Sequence, residues 1–107
     1  MVLDPETYEL KSHEQRIVQE GQKSIKDKVK AEMHQAVVEV GTDICQDIDE
    51  AYKDVALLRK TISDIAGDLD LTLGASGTHP FSHWEKQLIT DHQRYNDIIA
   101  ELQVAAR

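Results

Sequence analysis

Three residues near the middle of the first half of the chain have the side-chain chemistry of a magnesium site. Glu32, Gln35 and Glu39 form the pattern E-x-x-Q-x-x-x-E. Carboxylates and amide carbonyls are hard oxygen ligands, the kind that Mg²⁺ and Mn²⁺ bind alongside phosphate oxygens. A helix would place both glutamates on one face, whereas a regular strand would need a bulge or turn near Met33 to bring them together. Acids on an ordinary solvated surface would show the same spacing.

The second candidate is the segment 77–81, Gly-Thr-His-Pro-Phe. Pro80 restricts the preceding residue to an extended conformation, so the imidazole of His79 is held by covalent geometry and could exchange a hydrogen bond with a substrate. The structural alternative is that His79 caps a backbone group while Phe81 and Trp84 close the end of the core. A zinc site is disfavoured, because the His-x-x-x-His spacing suits zinc only on a helix, which Pro80 would break.

Composition limits the classes of function. The 107 residues allow at most one domain, and 20 acidic against 12 basic side chains give a net charge of −8. Such a surface repels nucleic acid and anionic membranes, so we expect neither as a partner. The single cysteine, Cys45, cannot form an internal disulfide, and no apolar segment has the length of a membrane span or signal peptide. These features predict a cytoplasmic protein.

The first half of the chain predicts mixed secondary structure. An apolar pair, Val2 and Leu3, leads directly into an Asp-Pro-Glu-Thr turn, as at the end of a strand whose beginning is absent. The polar segment 14–30 predicts one or two short helical turns. The segment 30–42 is ambiguous, since its apolar spacing slightly favours a helix while its β-branched residues favour a strand.

The second half has clearer helical patterns. Asp43 and Gln46 form a possible capping box for a long helix, and eight apolar residues recur at steps of three and four along one stripe. They are Ile44, Ile48, Ala51, Val55, Leu58, Ile62, Ile65 and Leu69. The segment 71–75 predicts a strand, and Thr90 with Gln93 predicts the cap of a last helix with an apolar face.

Five groups of motifs carry a resemblance to a known family. They are V-L-D-P-E-T-Y-E-L at 2–10, E-x-x-Q-x-x-V-E-V-x-T at 32–42, Cys45 before an acidic helix, A-S-G-T-H-P-F at 75–81, and W-x-x-Q-x-I-T at 84–90 with R-Y at 94–95. Their order and spacing resemble those of the carboxylate-amine ligases of the glutamate-cysteine ligase type 2 family. The resemblance extends over nearly the whole chain.

The resemblance implies an α+β, glutamine-synthetase-like fold with antiparallel strands, one long amphipathic helix and a C-terminal helix. It implies Mg²⁺ and ATP as cofactors, with glutamate activated as a γ-glutamyl phosphate and attacked by an amine such as that of cysteine. Glu32 and Glu39 match acidic, Mg²⁺-binding positions, and the segment 32–42 becomes a strand. Gln35, Thr78 and His79 would border the substrate pocket.

The resemblance also implies an incomplete active site. Family members are several times longer and carry further metal, ATP and glutamate residues outside the matched stretch. We therefore expect residues 1–107 to form a single, incomplete N-terminal segment of a ligase catalytic domain that is inactive alone. The alternative is a helical module without catalysis, in which the stripe from Ile44 to Leu69 pairs with a second copy. The expected partner is thus either the remainder of the enzyme or a copy of the same chain.

Overall fold

Residues 1–102 are described by a computed structural model, and within this range the chain forms three α-helices and two pairs of short antiparallel strands. The strands are β1 (Val2–Leu3), β2 (Val29–Ala31), β3 (Val38–Val40) and β4 (Thr72–Leu73). The helices are α1 (Glu14–Ile25), α2 (Ile48–Asp68) and α3 (Gln93–Leu102). Short 3₁₀ turns lie at Lys26–Lys28 and Trp84–Lys86. The described part is therefore a mixed α+β structure.

The two strand pairs are joined at one point by β1. Val2 lies opposite Leu73 in the pair of β1 with β4, and the amide of Val2 donates to the carbonyl of Ala36, 2.7 Å away, just before β3. Val2 is fully buried. The predicted turn after this strand is confirmed, because the carboxylate of Asp4 accepts hydrogen bonds from the amides of Glu6 and Thr7. The strand predicted after the long helix is also present, as β4.

The first helix is longer than the sequence indicated. Segment 14–30 was expected to form one or two short turns, but α1 runs for 12 residues. Its few aliphatic residues are enough because Ile17 and Val18 share one face with Gly21 and pack into the core. Gly21 allows α1 to lie close to Val29 of β2. Packing against the sheet, not local propensity, therefore sets the length of this helix.

The N-cap of the long helix lies four residues after the predicted one. Asp47, not Asp43, is the N-cap, and its carboxylate accepts from the amide of Glu50 at 2.8 Å. The Glu50 carboxylate accepts in turn from the amide of Gln46, one residue before the N-cap, so Asp47 and Glu50 together close the first turn of α2. Asp43 instead forms an ion pair with Lys28 at 2.6 Å. Aspartate is a favoured N-cap residue at either position. The carboxylate of Asp43 is bound to Lys28, and Asp47 caps the helix.

The apolar stripe of α2 is buried only in its second half. Leu58, Ile62 and Ala66 are buried in the core, whereas Ile48 is 81% exposed and Ile44, before the helix, is 95% exposed. The first turns of α2 thus extend past the surface that the described residues cover. The predicted periodicity is correct, but it does not show how much of the stripe is covered.

The last helix also begins later than predicted. α3 starts at Gln93, and its first turn is closed by the carbonyl of His92, which accepts from the amide of Asn96. Thr90, the predicted cap, instead donates its hydroxyl to the carbonyl of Glu32 at 2.6 Å. Tyr95 is among the half-buried residues of the apolar face, and no residue of α3 is fully buried among those described. The prediction of a capping box at Thr90 is therefore wrong.

Candidate functional site

A hairpin carries the two glutamates of the predicted metal site. Glu32 directly follows β2, Glu39 lies in β3, and the chain turns between them at 33–36. Lys30 lies opposite Glu39 in the antiparallel ladder, so the two residues share one face of the strand pair. Continuing this alternation by one step puts Glu32 on the same face. The turn that a strand would need near Met33 is thus present.

The position of Glu32 is held by hydrogen bonds at both its side chain and its carbonyl. Its Oε2 accepts from the amide of His34 at 3.1 Å and lies 3.6 Å from Nδ1 of the same residue. Its carbonyl accepts from the hydroxyl of Thr90. The side chain is half-buried, so the carboxylate keeps one side towards solvent. These contacts give Glu32 a defined orientation without closing it to a ligand.

Gln35 lies in the same turn and joins it to a distant segment. Its amide donates to the carbonyl of Leu88 at 2.9 Å, and its side-chain Nε2 donates to the carbonyl of Ile89 at 3.2 Å. The amide of Thr90 donates to the carbonyl of Met33 at 2.8 Å. Residues 88–90 therefore run antiparallel to 33–35 and brace the turn between the two glutamates.

Sequence reasoning missed Glu14, a buried carboxylate beneath this turn. Glu14 is 1% exposed, its amide donates to the carbonyl of Gln35, and one carboxylate oxygen lies 3.5 Å from the hydroxyl of Thr90. Burial raises the pKa of Glu14, while hydrogen bonds from backbone amides and from Thr90 oppose the rise. A signal was present in the sequence, since Glu14 shares the helical spacing of Ile17 and Val18.

Glu39 borders a small polar cavity of about 170 Å³. Lys28, Lys30 and Asp43 also line it, so both signs of charge meet there. The hydrogen bond with Asp43 raises the pKa of Lys28, and Asp54, 3.3 Å from its Nζ, adds to the effect. Glu39 itself is exposed. The cavity therefore favours an ion or a small polar group over an apolar ligand.

His79 is bonded to the backbone through both ring nitrogens. Nδ1 accepts from the amides of Phe81 and Ser82, at 3.3 and 2.9 Å, so the ring proton is on Nε2, which donates to the carbonyl of Tyr8 at 2.8 Å. The ring also makes an edge contact with Phe81. His79 therefore holds the 77–82 loop onto the turn after β1. This is the backbone-capping arrangement that the sequence left open beside a substrate role.

The predicted site residues lie on two separate segments of the chain. Glu32, Gln35 and Glu39 lie on the β2–β3 hairpin, whereas Thr78 and His79 lie on a loop held by the 4–10 turn. Thr78 is exposed, and its carbonyl accepts from the hydroxyl of Ser76.

The donor set on the hairpin suits Mg²⁺ only as a partial shell. Within residues 1–102, no group of three or more His, Cys, Asp or Glu side chains is placed to hold a metal ion. Mg²⁺ commonly uses one or two carboxylates with several waters and phosphate oxygens, so two glutamates fit this mode of binding. They do not make a closed protein cage.

The sequence profile of glutamate-cysteine ligase family 2 matches residues 1–106 of the chain. The chain belongs to this family. The resemblance carried by the motifs is thereby confirmed. A comparison with the solved structures gives no significant match.

Three relatives of this chain carry the name "Putative glutamate--cysteine ligase 2". The protein from Herpetosiphon aurantiacus is 47% identical over 106 residues, which are 99% of this chain and 28% of the relative. The protein from Chloroflexus aurantiacus is 43% identical over 105 residues, 98% of this chain and 27% of the relative. The protein from Solibacter usitatus is 44% identical over 98% of this chain. The chain thus spans little more than a quarter of the length of these relatives.

None of the helices within residues 1–102 has the length and apolar character needed to cross a bilayer.

Proposed function

We propose that this chain supplies the N-terminal part of an ATP-dependent carboxylate-amine ligase with a glutamine-synthetase-like fold. The observation that carries the proposal is the β2–β3 hairpin, in which Glu39 lies in β3 and Glu32 follows β2, two residues beyond Lys30, the ladder partner of Glu39. Family membership supports the reaction class, since the relatives are named as glutamate-cysteine ligases.

Glu32 and Glu39 are the residues that would hold Mg²⁺ beside the phosphates of ATP. When bound, the ion would neutralise phosphate charge during formation of a γ-glutamyl phosphate. The protein's own contribution is positioning, because Thr90 and His34 fix the backbone and carboxylate of Glu32. Glu39 is held by the regular ladder opposite Lys30.

Glutamate and an amine such as that of cysteine are the substrates we propose. Gln35 and the exposed Thr78 would offer polar groups at the border of the pocket. His79 would act chiefly by holding the loop, since both its nitrogens are bonded to the backbone. The chain spans about 28% of a relative's length, and we propose that groups outside it complete the site. This chain by itself is then expected to show no ligase turnover.

Titration with Mn²⁺, followed by the electron paramagnetic resonance signal of the free ion, tests the metal assignment. We expect weak binding that falls at least about tenfold in Glu32→Gln and in Glu39→Gln, because each loses one anionic ligand. Glu20→Gln is the matched control, since Glu20 is an exposed glutamate on α1 whose partner is Lys23. Equal affinity in all four proteins would refute the assignment of Glu32 and Glu39.

A second candidate function is self-association without catalysis, and the exposed start of α2 favours it. Ile48 and Tyr52 lie four residues apart on one face of α2 and are 81% and 76% exposed. Sedimentation equilibrium over a wide concentration range separates the two functions. A dimer that is lost in Ile48→Glu but kept in Asp49→Lys would support self-association, whereas a monomer at all concentrations would exclude it.

A further inference from the structure

Lys30 lies in the middle of β2, on the face of the hairpin that carries the two glutamates. Glu39 is its ladder partner, and Glu32 follows two residues further along the chain, so strand alternation continued by one step places all three on one face. On the other face Val29 is fully buried beside Gly21 of α1, whereas Lys30 and Glu39 are exposed. Within residues 1–102 the face with Lys30 and Glu39 is therefore open to a ligand.

The strand register shows how close Lys30 lies to both glutamates. The amide of Gly41 donates to the carbonyl of Lys28 at 2.9 Å, and hydrogen-bonded pairs recur at every second position of an antiparallel ladder. Lys30 and Glu39 are the next such pair, with Cα atoms about 5.5 Å apart. Glu32 is about 7 Å from Lys30 along the chain. One small ligand above this face could thus contact all three side chains.

Lys30 has a carboxylate opposite it but no ion pair. None of the ion pairs formed within residues 1–102 includes Lys30. Lys28, which lines the same polar cavity, is bound to Asp43 and Asp54. Among the described residues of this cavity, Lys30 is therefore the cation left for a ligand.

The charges on this face favour a ligand that carries both signs. A divalent cation alone would be attracted by Glu32 and Glu39 but repelled by the ammonium of Lys30. An anion alone would be attracted by Lys30 and repelled by the two carboxylates. A metal ion with its phosphate groups matches all three, since the metal can lie against the carboxylates and a phosphate oxygen against the ammonium. Lysine binds phosphate in this way, as a point charge with three donors.

We propose that Lys30 binds a phosphate oxygen of the nucleotide whose metal ion is held by Glu32 and Glu39. This inference rests on the proposed function and adds to it a residue that contacts substrate. The ammonium donates a hydrogen bond to the phosphate and offsets its negative charge, and Lys30 itself forms no covalent bond.

The magnesium complex of inorganic tripolyphosphate is the probe for this contact, because it carries a metal and a phosphate chain without the nucleoside. Amide chemical shifts of the hairpin, followed by NMR during titration of the full chain, give the affinity. Lys30→Gln is expected to weaken binding at least about tenfold, since a charge-assisted hydrogen bond is lost. Lys30→Arg keeps the charge and the donors and is expected to retain most of the affinity.

Lys53→Gln is the matched control. It removes the same charge from an exposed lysine on α2 that borders a different cavity, and it is expected to leave the affinity unchanged. Acetylation of the lysines, followed by mass spectrometry, reports contact directly. The complex is expected to slow acetylation of Lys30 and not of Lys53.

Binding of Mn²⁺ without phosphate separates Lys30 from the metal ligands. Lys30→Gln is expected to bind Mn²⁺ at least as tightly as the parent protein, because the substitution removes a cation that repels the metal. Glu32→Gln and Glu39→Gln are expected to weaken binding of both Mn²⁺ and the tripolyphosphate complex. A merely structural role of Lys30 in the hairpin would instead lower both affinities in Lys30→Gln.

Three results would overturn the assignment of Lys30. They are equal affinity of Lys30→Gln and the parent protein for the tripolyphosphate complex, an equal loss in Lys53→Gln, and a loss of Mn²⁺ affinity in Lys30→Gln. A parent protein that does not bind the complex would overturn it as well. Failure of the proposed function gives a different pattern, because Mn²⁺ affinity would then be unchanged in Glu32→Gln and Glu39→Gln.

Discussion

Replacing Gly21 by alanine tests how closely α1 packs on the sheet. A Cβ atom built at Gly21 would lie 2.9 Å from Cγ1 of Val29 and 3.3 Å from Cδ1 of Ile62. Both neighbours are buried, at 0% and 3% exposure, so neither side chain can move freely aside. Gly21 has no positive φ, and alanine therefore introduces no backbone strain. The only cost of the added methyl group is overpacking.

Gly67→Ala is the matched control on α2. No atom lies within 4 Å of a Cβ built at Gly67. Alanine is favoured over glycine in a helix by up to about 1 kcal/mol, so this variant is expected to be neutral or more stable. At Gly21 the same gain is opposed by an overpacking cost of about 1–3 kcal/mol. The helix-propensity contribution largely cancels between the two variants, and we expect Gly21→Ala to be less stable than Gly67→Ala by about 1–3 kcal/mol.

Urea unfolding followed by circular dichroism measures both variants, with equal m-values required for comparison. A Val29→Ala background removes Cγ1, the closest atom, and is expected to recover part of the difference in a double-mutant cycle. If Gly21→Ala were as stable as Gly67→Ala, α1 would not lie as close to β2 as described. The packing that positions Glu14 under the hairpin would then also be wrong.

Three further perturbations test local parts of the structure. Burial raises the pKa of Glu14, so the folded state holds the Glu14 proton more tightly than the unfolded state does. This group therefore lowers the free energy of unfolding as pH rises above 4.5, towards the raised pKa. Urea unfolding of Glu14→Gln at several pH values should show a smaller fall than the parent protein. His79→Phe keeps an aromatic ring but loses three hydrogen bonds, and faster amide exchange at Ser82 is expected. Asp47→Ala should lower the free energy of unfolding by about 1 kcal/mol through loss of the N-cap, while Asp43→Ala should leave the cap of α2 intact. Equal losses of stability in the two variants would contradict Asp47 as the cap.

The sequence by itself determined the features that depend on near neighbours along the chain. The helical stripe of α2 was predicted because Leu58, Ile62 and Ile65 recur at helical spacing, and this spacing is a local property. The turn at Asp4 was predicted from the Asp-Pro-Glu-Thr signal, and it forms because the carboxylate of Asp4 bonds to amides two and three residues away. Family membership was likewise read from ordered motifs.

The tertiary structure alone decided the features that depend on distant residues. The segment 30–42 matched both a helix and a strand, and in the structure it forms a hairpin braced by residues 88–90, with Glu32 just after β2 and Glu39 in β3. Thr90 matched a helix cap, but its hydroxyl bonds to Glu32, 58 positions earlier. Glu14 is buried because both hairpin and helix close over it. Local preferences were nearly balanced in the segment 30–42, and there, as at Thr90 and Glu14, contacts between distant segments decided the structure.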